Sequence, residues 1–257
     1  MNDHQTPASK LHIDFAAFGV PAGAYALPHP GEAAHLGDNT AARFTAHFAG
    51  LLPLSSLTAA ETAFLREHFF DQYINRRARC LEYADRTTPP RFRNAEPDSR
   101  ATEWARRVAA DPQTTKSVLL LGPTGTGKTH WAYAALWAVA DAGVWTPWKA
   151  LTEADLYARL RPRPGHDPET VFEEIAKAQL LFLDDLGAAK PSEWAEEVMY
   201  RLVNYRYDHC LPSLFASNLA PRELPEALGA RTASRLTQMC DRIALKGEDR
   251  RLAKEQA

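Results

Sequence analysis

The stretch Gly122-Pro-Thr-Gly-Thr-Gly-Lys-Thr129 follows the apolar run 117–121 and precedes a helix-like segment from His130 to Asp141. It satisfies G-x-x-x-x-G-K-[ST] in the setting that this spacing requires, a buried strand turning through glycines into a helix. Gly122, Gly125 and Gly127 permit the tight backbone that brings N–H groups to a phosphate chain, with Pro123, Thr124 and Thr126 completing the loop. The helix N-terminus adds orphan donors and partial positive charge. Lys128 then reaches the β- and γ-phosphates and the Thr129 hydroxyl coordinates Mg²⁺. The chemistry predicted is that of a nucleoside triphosphate site.

A second constellation lies downstream. The run 180–187 (Leu-Leu-Phe-Leu-Asp-Asp-Leu-Gly) is a buried strand ending in two carboxylates, an expensive arrangement unless a cation sits beside them. Placed next to the phosphate loop, Asp184 holds Mg²⁺ and Asp185 polarises the attacking water. The strand 213–218 ends in Asn218, and in an open α/β sheet the strand ends line the ligand crevice, so Asn218 is placed to orient that water.

The elements that must hold these groups alternate strand and helix, which predicts a parallel sheet covered on both faces. Strands are expected at 117–121, 144–148, 180–187, 213–218 and 242–247. The second is interrupted by Pro147 and suits a sheet edge. Thr152-Glu-Ala-Asp155 caps a helix carrying Leu156 and Leu160 that runs into the basic loop Arg159, Arg161, Arg163, and another helix covers 171–178. Ser192 caps a helix with Trp194, Val198, Leu202 and Tyr205 as its buried stripe. A single helix spans 223–236 and carries Arg231 and Arg235 on one face, four residues apart.

Upstream, Thr58-Ala-Ala-Glu61 is a capping box opening a helix with Phe64, Leu65, Phe69, Tyr73 and Ile74 at helical spacing, extending to about Tyr83. This helix packs on the main domain or docks a partner. Arg76, Arg77 and Arg79 read as a solvated helix face, with contact to nucleic acid as the alternative, and Trp145 and Trp148 read as packing aromatics, with base stacking as the alternative. Thr87-Thr-Pro-Pro90 breaks the helix, and a further short helix is expected around 103–110. Residues 1–54 offer few periodic apolar positions and are expected to be largely disordered or loosely attached. Their five histidines, His4, His12, His29, His35 and His47, match no metal spacing and read as solvated.

At 257 residues the chain holds one large α/β domain and a smaller appendage. The net charge of −2 gives no global pull toward polyanions, so nucleic-acid contacts must come from local basic patches. Cys80, Cys210 and Cys240 are odd in number and far apart, which argues against a disulfide framework and for a reducing compartment. No stretch has the length and apolarity needed to cross a bilayer, so a cytoplasmic protein without membrane contact is the default expectation.

Taken together, these residues resemble the bacterial helicase loaders of the DnaC type and the transposition ATPases of the IstB type within the AAA+ superfamily. The resemblance covers residues 86 to 251. It rests on Pro89-Pro-Arg-Phe-Arg93, the phosphate loop, Leu183-Asp-Asp-Leu-Gly187, Lys190-Pro-Ser-Glu-Trp194, Tyr200-Arg-Leu-Val-Asn-Tyr-Arg-Tyr207, Ala216-Ser-Asn-Leu219 and Gly229-Ala-Arg-Thr-Ala-Ser-Arg-Leu236. It implies a P-loop NTPase AAA+ three-layer domain with a central parallel sheet over 87–257, preceded by a helical segment at 55–86 and the tail 1–54. It implies ATP and Mg²⁺ as cofactors and ATP hydrolysis that is weak in an isolated monomer.

By the same resemblance Asn218 is the first sensor, and Arg231 is an arginine finger reaching a neighbouring subunit's site, a role that Arg235 shares. Arg250 or Arg251 is the second sensor, the linker 89–93 closes over adenine, and the 152–163 region faces single-stranded DNA. Self-association through the finger follows. The implied partner is a replicative helicase for a loader, or a transposase and duplex DNA for an IstB-like helper. Asp185 stands where many AAA+ proteins have Glu, which keeps open a nucleotide-bound adaptor with little hydrolysis. The loop alone also fits a P-loop small-molecule kinase, which needs an acceptor pocket and usually a lid with arginines in cis.

Overall fold

The computed structural model describes residues 14–21, 25–29, 31–165, 167–190 and 192–246. Its centre is a five-stranded parallel sheet of β1 (Ser117–Leu121), β2 (Trp148–Thr152), β3 (Leu180–Asp184), β4 (Ser213–Ser217) and β5 (Cys240–Ala244) in the order β2-β3-β4-β1-β5. The central strands are apolar on both faces, as a sheet covered on both sides requires. Leu119, Leu121, Leu151, Leu181, Leu183 and Phe215 enter one core cluster; Val118, Leu120, Leu180, Phe182, Leu214 and Ala216 enter the other. This period of two sends alternate side chains into the two helical layers.

The first layer is α5 (Glu153–Leu160), α6 (Pro168–Ala176), α7 (Glu193–Asp208), α8 (Leu224–Leu228) and α9 (Ala230–Met239). The second is formed by α4 (Lys128–Asp141), α3 (Ser99–Ala110) and the C-terminal half of α2 (Ala59–Thr87). Helix α4 is alanine-rich and largely buried, so α2 and α3 can approach it closely. Among the described residues no helix is long and apolar enough to cross a membrane.

The structure departs from the sequence expectations in several places. Residues 1–54 are expected to be loose, yet Phe15, Phe18, Val20, Tyr25, Phe44 and Phe48 from that stretch join Leu57 in an apolar cluster around Leu65 and Phe69 of α2. Helix α1 (Thr40–Phe48) belongs to it. No sequence period links these residues; they converge because four aromatic rings from three separate short segments pack edge-on around Phe69. His47, expected to be solvated, is buried there with Nδ1 2.8 Å from the Leu52 carbonyl. The capping box is formed, and Glu61 also pairs with Arg43 at 2.8 Å, fastening α1 to α2. That ion pair is the leading cause of the lowered pKa of the Glu61 carboxyl.

The second strand begins at Trp148, not Val144, because Pro147 cannot donate to a ladder; it does lie at the sheet edge. The last strand is 240–244, earlier than 242–247. The helix expected over 223–236 is split at Gly229, whose φ of 81° is incompatible with helix continuation. Trp194, assigned to a buried stripe, is 40% exposed and tilts against Tyr157.

Candidate nucleotide-binding site

The parallel register sets the site. Leu121 pairs with Ser217 and Leu183 with Phe215, so the C-terminal ends of β1, β3 and β4 lie side by side. Gly122, Asp184, Asp185 and Asn218 therefore meet at one edge of the sheet, where the N-terminus of α4 also begins. Residues separated by up to 96 positions are gathered by strand order alone.

The loop 122–127 is built on glycine. Gly122, Gly125 and Gly127 have φ of 154°, 83° and 93°. A Cβ on Gly122 would stand 2.1 Å from the backbone carbonyl oxygen of Leu245, which follows β5 and is tied to Leu121 by a 2.8 Å bond. Because backbone cannot step aside, Gly122→Ala is expected to displace the loop and weaken ATP binding by about tenfold, a loss of about 1.4 kcal/mol. Titration of a fluorescent ATP analogue measures it.

The Lys128 ammonium donates to the carbonyls of Gly122 (2.7 Å) and Pro123 (2.8 Å) and to Asn218 Oδ1 (2.7 Å). The amide Nδ2 of Asn218 donates to Asp185 Oδ1 at 3.3 Å. Asn218 thus bridges cation and carboxylate, with its oxygen toward Lys128 and its nitrogen toward Asp185. Asp185 itself sits at φ 53°, a left-handed conformation that costs a non-glycine residue energy and is tolerated best by Asp and Asn. Thr129 Oγ1 donates to Asp184 Oδ2 at 2.7 Å, and the Asp185 N–H donates to Asp184 Oδ1 at 2.9 Å. Burial raises the Asp184 carboxyl above its ordinary range; the Thr129 hydroxyl and the Asp185 amide only partly offset this.

These features fit a magnesium–triphosphate group. Asp184 is a nearly buried carboxylate whose charge is poorly compensated by its neighbours, and it adjoins a loop whose Gly125 and Gly127 adopt left-handed φ at the N-terminus of α4. Next to it, Tyr133 of α4 stacks on Phe92 (4.9 Å between ring centres, 13° between planes), placing the linker turn Pro90–Phe92 against α4. Burial, with a smaller contribution from Asp184, pushes the Tyr133 hydroxyl up to about 12, so it remains neutral.

Two groups that support the site were missed in the sequence. Glu153, 2% exposed at the start of α5, accepts N–H bonds from Gly187 (2.9 Å) and Ala189 (3.2 Å) and a hydroxyl bond from Tyr157 (3.0 Å). It clamps the turn that follows the two aspartates. Its only sequence signal is a carboxylate four residues before a tyrosine on a capped helix. Ser217 holds the same turn from the other side, donating to the Leu186 carbonyl at 2.6 Å. The structure does not bring Arg231 or Arg235 to this network: their guanidiniums lie over Tyr200 (6.0 Å) and Tyr207 (4.3 Å) of α7. Arg250 and Arg251 lie outside the described residues.

A parallel sheet of this strand order, with a glycine phosphate loop on its first strand and acid and amide groups on the two neighbouring strand ends, defines a P-loop AAA+ ATP-binding domain. Residues 103–257 match the family described as IstB-like ATP binding protein, and the chain belongs to that family. Its relatives include the insertion sequence IS21 putative ATP-binding protein of Pseudomonas aeruginosa, 28% identical over 145 residues that make up 53% of each chain. The replicative helicase loader DnaI of Bacillus subtilis is 33% identical over 90 residues, 30% of this chain and 29% of that one. The chain thus spans about half the length, or less, of these curated relatives. The crystal structure of the DnaC helicase loader superposes with a TM-score of 0.53 at 25% identity, over 62% of this chain and all of that one.

Proposed function

We propose that this chain is an ATP-hydrolysing DNA replication protein of the helicase loader type, which binds single-stranded DNA and delivers a replicative helicase. The observation that carries the reading is the convergence of Lys128, Thr129, Asp184, Asp185 and Asn218 at three adjacent strand ends. In this reading the 122–129 loop and Lys128 bind the phosphates. Thr129 and Asp184 would hold Mg²⁺, which when bound neutralises charge on the β- and γ-phosphates. Asp185, fixed by Asn218, accepts a proton from the attacking water, and Asn218 keeps that water in line.

Arg231, joined by Arg235, completes the site of an adjoining copy. Arg250 or Arg251 is the second sensor, on resemblance alone. Family membership, the DnaI relative and the full-length match to the DnaC structure support the loader reading. The IS21 relative favours a second one, a transposition helper acting with a transposase on duplex DNA. Co-purification with a replicative helicase as against a transposase separates them.

The general test is ATP turnover per subunit against protein concentration, with and without single-stranded DNA. Turnover that rises with both is expected; a flat rate in both dimensions contradicts the proposal. In this reading the DNA surface is the insert between β2 and α6, a reading supported by the exposure of Arg159, Arg161 and Arg163 there. Replacing all three by glutamine is expected to lower the slope of log affinity against log salt by about two, at about 0.7 per single-strand phosphate released. An unchanged slope would remove the insert from the DNA path.

A further inference from the structure

A second cleft lies away from the nucleotide site, between the outer face of α2 and the loop that leads from α4 into the edge strand β2. It encloses about 420 Å³ and is lined by Arg76, Arg79, Glu82, Tyr83, Arg86 and Trp145. This volume is within the range of ligand clefts. Three arginines and one glutamate line it. The arginines recur along α2 as one stripe, and Trp145 forms the opposite wall.

The walls are pinned in place. Arg76 Nε donates to the Gly143 carbonyl, and Arg77 Nε to the Asp141 carbonyl at 3.0 Å. The Tyr83 hydroxyl donates to the Trp148 carbonyl at 2.9 Å and accepts from the Trp148 N–H at 3.2 Å, joining α2 to the first residue of β2. Gly143 has φ of 70°, and a Cβ there would meet the Tyr73 ring at 2.6 Å, so the loop passes directly over α2. Trp145 packs edge-on against Tyr83 at 5.2 Å yet remains 47% exposed.

Two of the three arginines are not spent on the fold. Arg76 is held by the Gly143 carbonyl and lies 4.4 Å over the Tyr25 ring. Arg79 and Arg86 are exposed and form no ion pair among the described residues, whereas their neighbours Arg77 and Arg93 pair with Asp141 and Asp85. Arg86 rests 5.9 Å from the Tyr83 ring. Unspent positive charge beside a fixed, exposed indole suits a ligand that carries both phosphates and aromatic faces.

We propose that this cleft binds single-stranded nucleic acid, with Arg79 and Arg86 on two backbone phosphates and a base stacked on Trp145. A single strand fits because its bases are free to leave the stack; in a duplex the base faces are covered. The cleft precedes the N-terminal end of β2, whereas the nucleotide site lies at the C-terminal ends of the strands. It is also separate from the insert arginines, and the inference stands or falls independently of them.

The test is fluorescence anisotropy of a fluorescein-labelled oligothymidine of about 15 nucleotides, titrated with the full chain across a salt series. W145A is expected to weaken binding at least about fivefold, as loss of one stacked base does. R79Q/R86Q is expected to lower the salt slope by about 1.4, or about 0.7 for each of two phosphates. Both variants should keep wild-type affinity for an ATP analogue, which shows that the fold is intact. Unchanged affinity and slope in both variants overturns the proposal, even if the insert triple variant loses binding; in that case the insert assignment survives alone. Absence of oligothymidine binding by the wild type overturns both. An equal loss of duplex binding by W145A overturns the single-strand assignment, and loss of a protein partner with oligonucleotide affinity intact makes the cleft a protein dock instead.

Discussion

Arg231→Ala is expected to lower ATP turnover by about a thousandfold or more at protein concentrations where wild-type turnover per subunit has reached its plateau, and to leave ATP affinity unchanged. The magnitude is that of an arginine finger in related phosphoryl transfer, roughly 10³–10⁵. The structural basis is the position of Arg231 at the start of α9, just after the break at Gly229. Its guanidinium is exposed and only loosely seated, 6.0 Å from the Tyr200 ring, while Lys128, Asp185 and Asn218 form a network to which it does not contribute.

A group that serves another subunit's site should be separable from its own. Mixing Arg231→Ala with Asp185→Asn is therefore expected to restore part of the turnover, since one supplies an intact pocket and the other an intact guanidinium. Arg235 sits closer to its ring, 4.3 Å over Tyr207, and its removal should cost more stability and less turnover. Turnover of Arg231→Ala equal to wild type at every protein concentration would sink the finger assignment.

Arg206→Ala is expected to destabilise the domain by about 3–5 kcal/mol, measured by urea unfolding at pH 7. Arg206 of α7 has no exposed surface. Its Nε donates to Ser213 Oγ at 2.6 Å, its Nη1 to the carbonyls of Ala176 (3.0 Å) and Ala178 (2.8 Å), and its Nη2 to the Pro212 carbonyl at 2.7 Å. Burial lowers its pKa to about 9, so the guanidinium is still charged at pH 7.

The cost follows from what is left behind. Truncation removes the donors but leaves three carbonyls and a hydroxyl in a site that water reaches poorly, and it opens a cavity among α6, α7 and β4. Arg206→Lys should recover only part of the loss, because a point-like ammonium cannot serve a fork of acceptors. An unfolding free energy within about 1 kcal/mol of wild type for the alanine variant would show that neighbouring backbone rearranges to satisfy these groups.

The parts of the site readable in the sequence were those whose chemistry is local. The phosphate loop declares itself through glycine spacing between a strand and a helix, and β3 and β4 through apolar runs that end in Asp184-Asp185 and Asn218. Parallel topology then brings those ends together without further information. What escaped reading depends on distant contacts. Glu153 looked like an ordinary cap residue, since its acceptor role requires the backbone of Gly187 and Ala189 to fold back on it.

Arg206 falls on the buried stripe of α7, eight residues after Val198 and four after Leu202, but the carbonyls of Ala176, Ala178 and Pro212 that receive its guanidinium come from other segments and carry no sequence signal. The aromatic cluster around Phe69 is assembled from rings as far apart as Phe15 and Phe69, so no window of sequence reveals it. Gly229 was read as part of a continuous helix because its neighbours keep the 3.6-residue period; only the observed backbone shows the break.

Helix α2 has a practical consequence for anyone producing shortened versions of this protein. Its first half buries Leu65 and Phe69 under the N-terminal aromatics, and its second half buries Cys80 and Ala84 against the sheet layer. Cutting the gene within it, or just upstream, leaves one of these surfaces greasy and bare, a recipe for inclusion bodies. Expression of the ATP-binding domain alone therefore calls for polar replacements at Leu65 and Phe69, or for keeping the preceding segment attached.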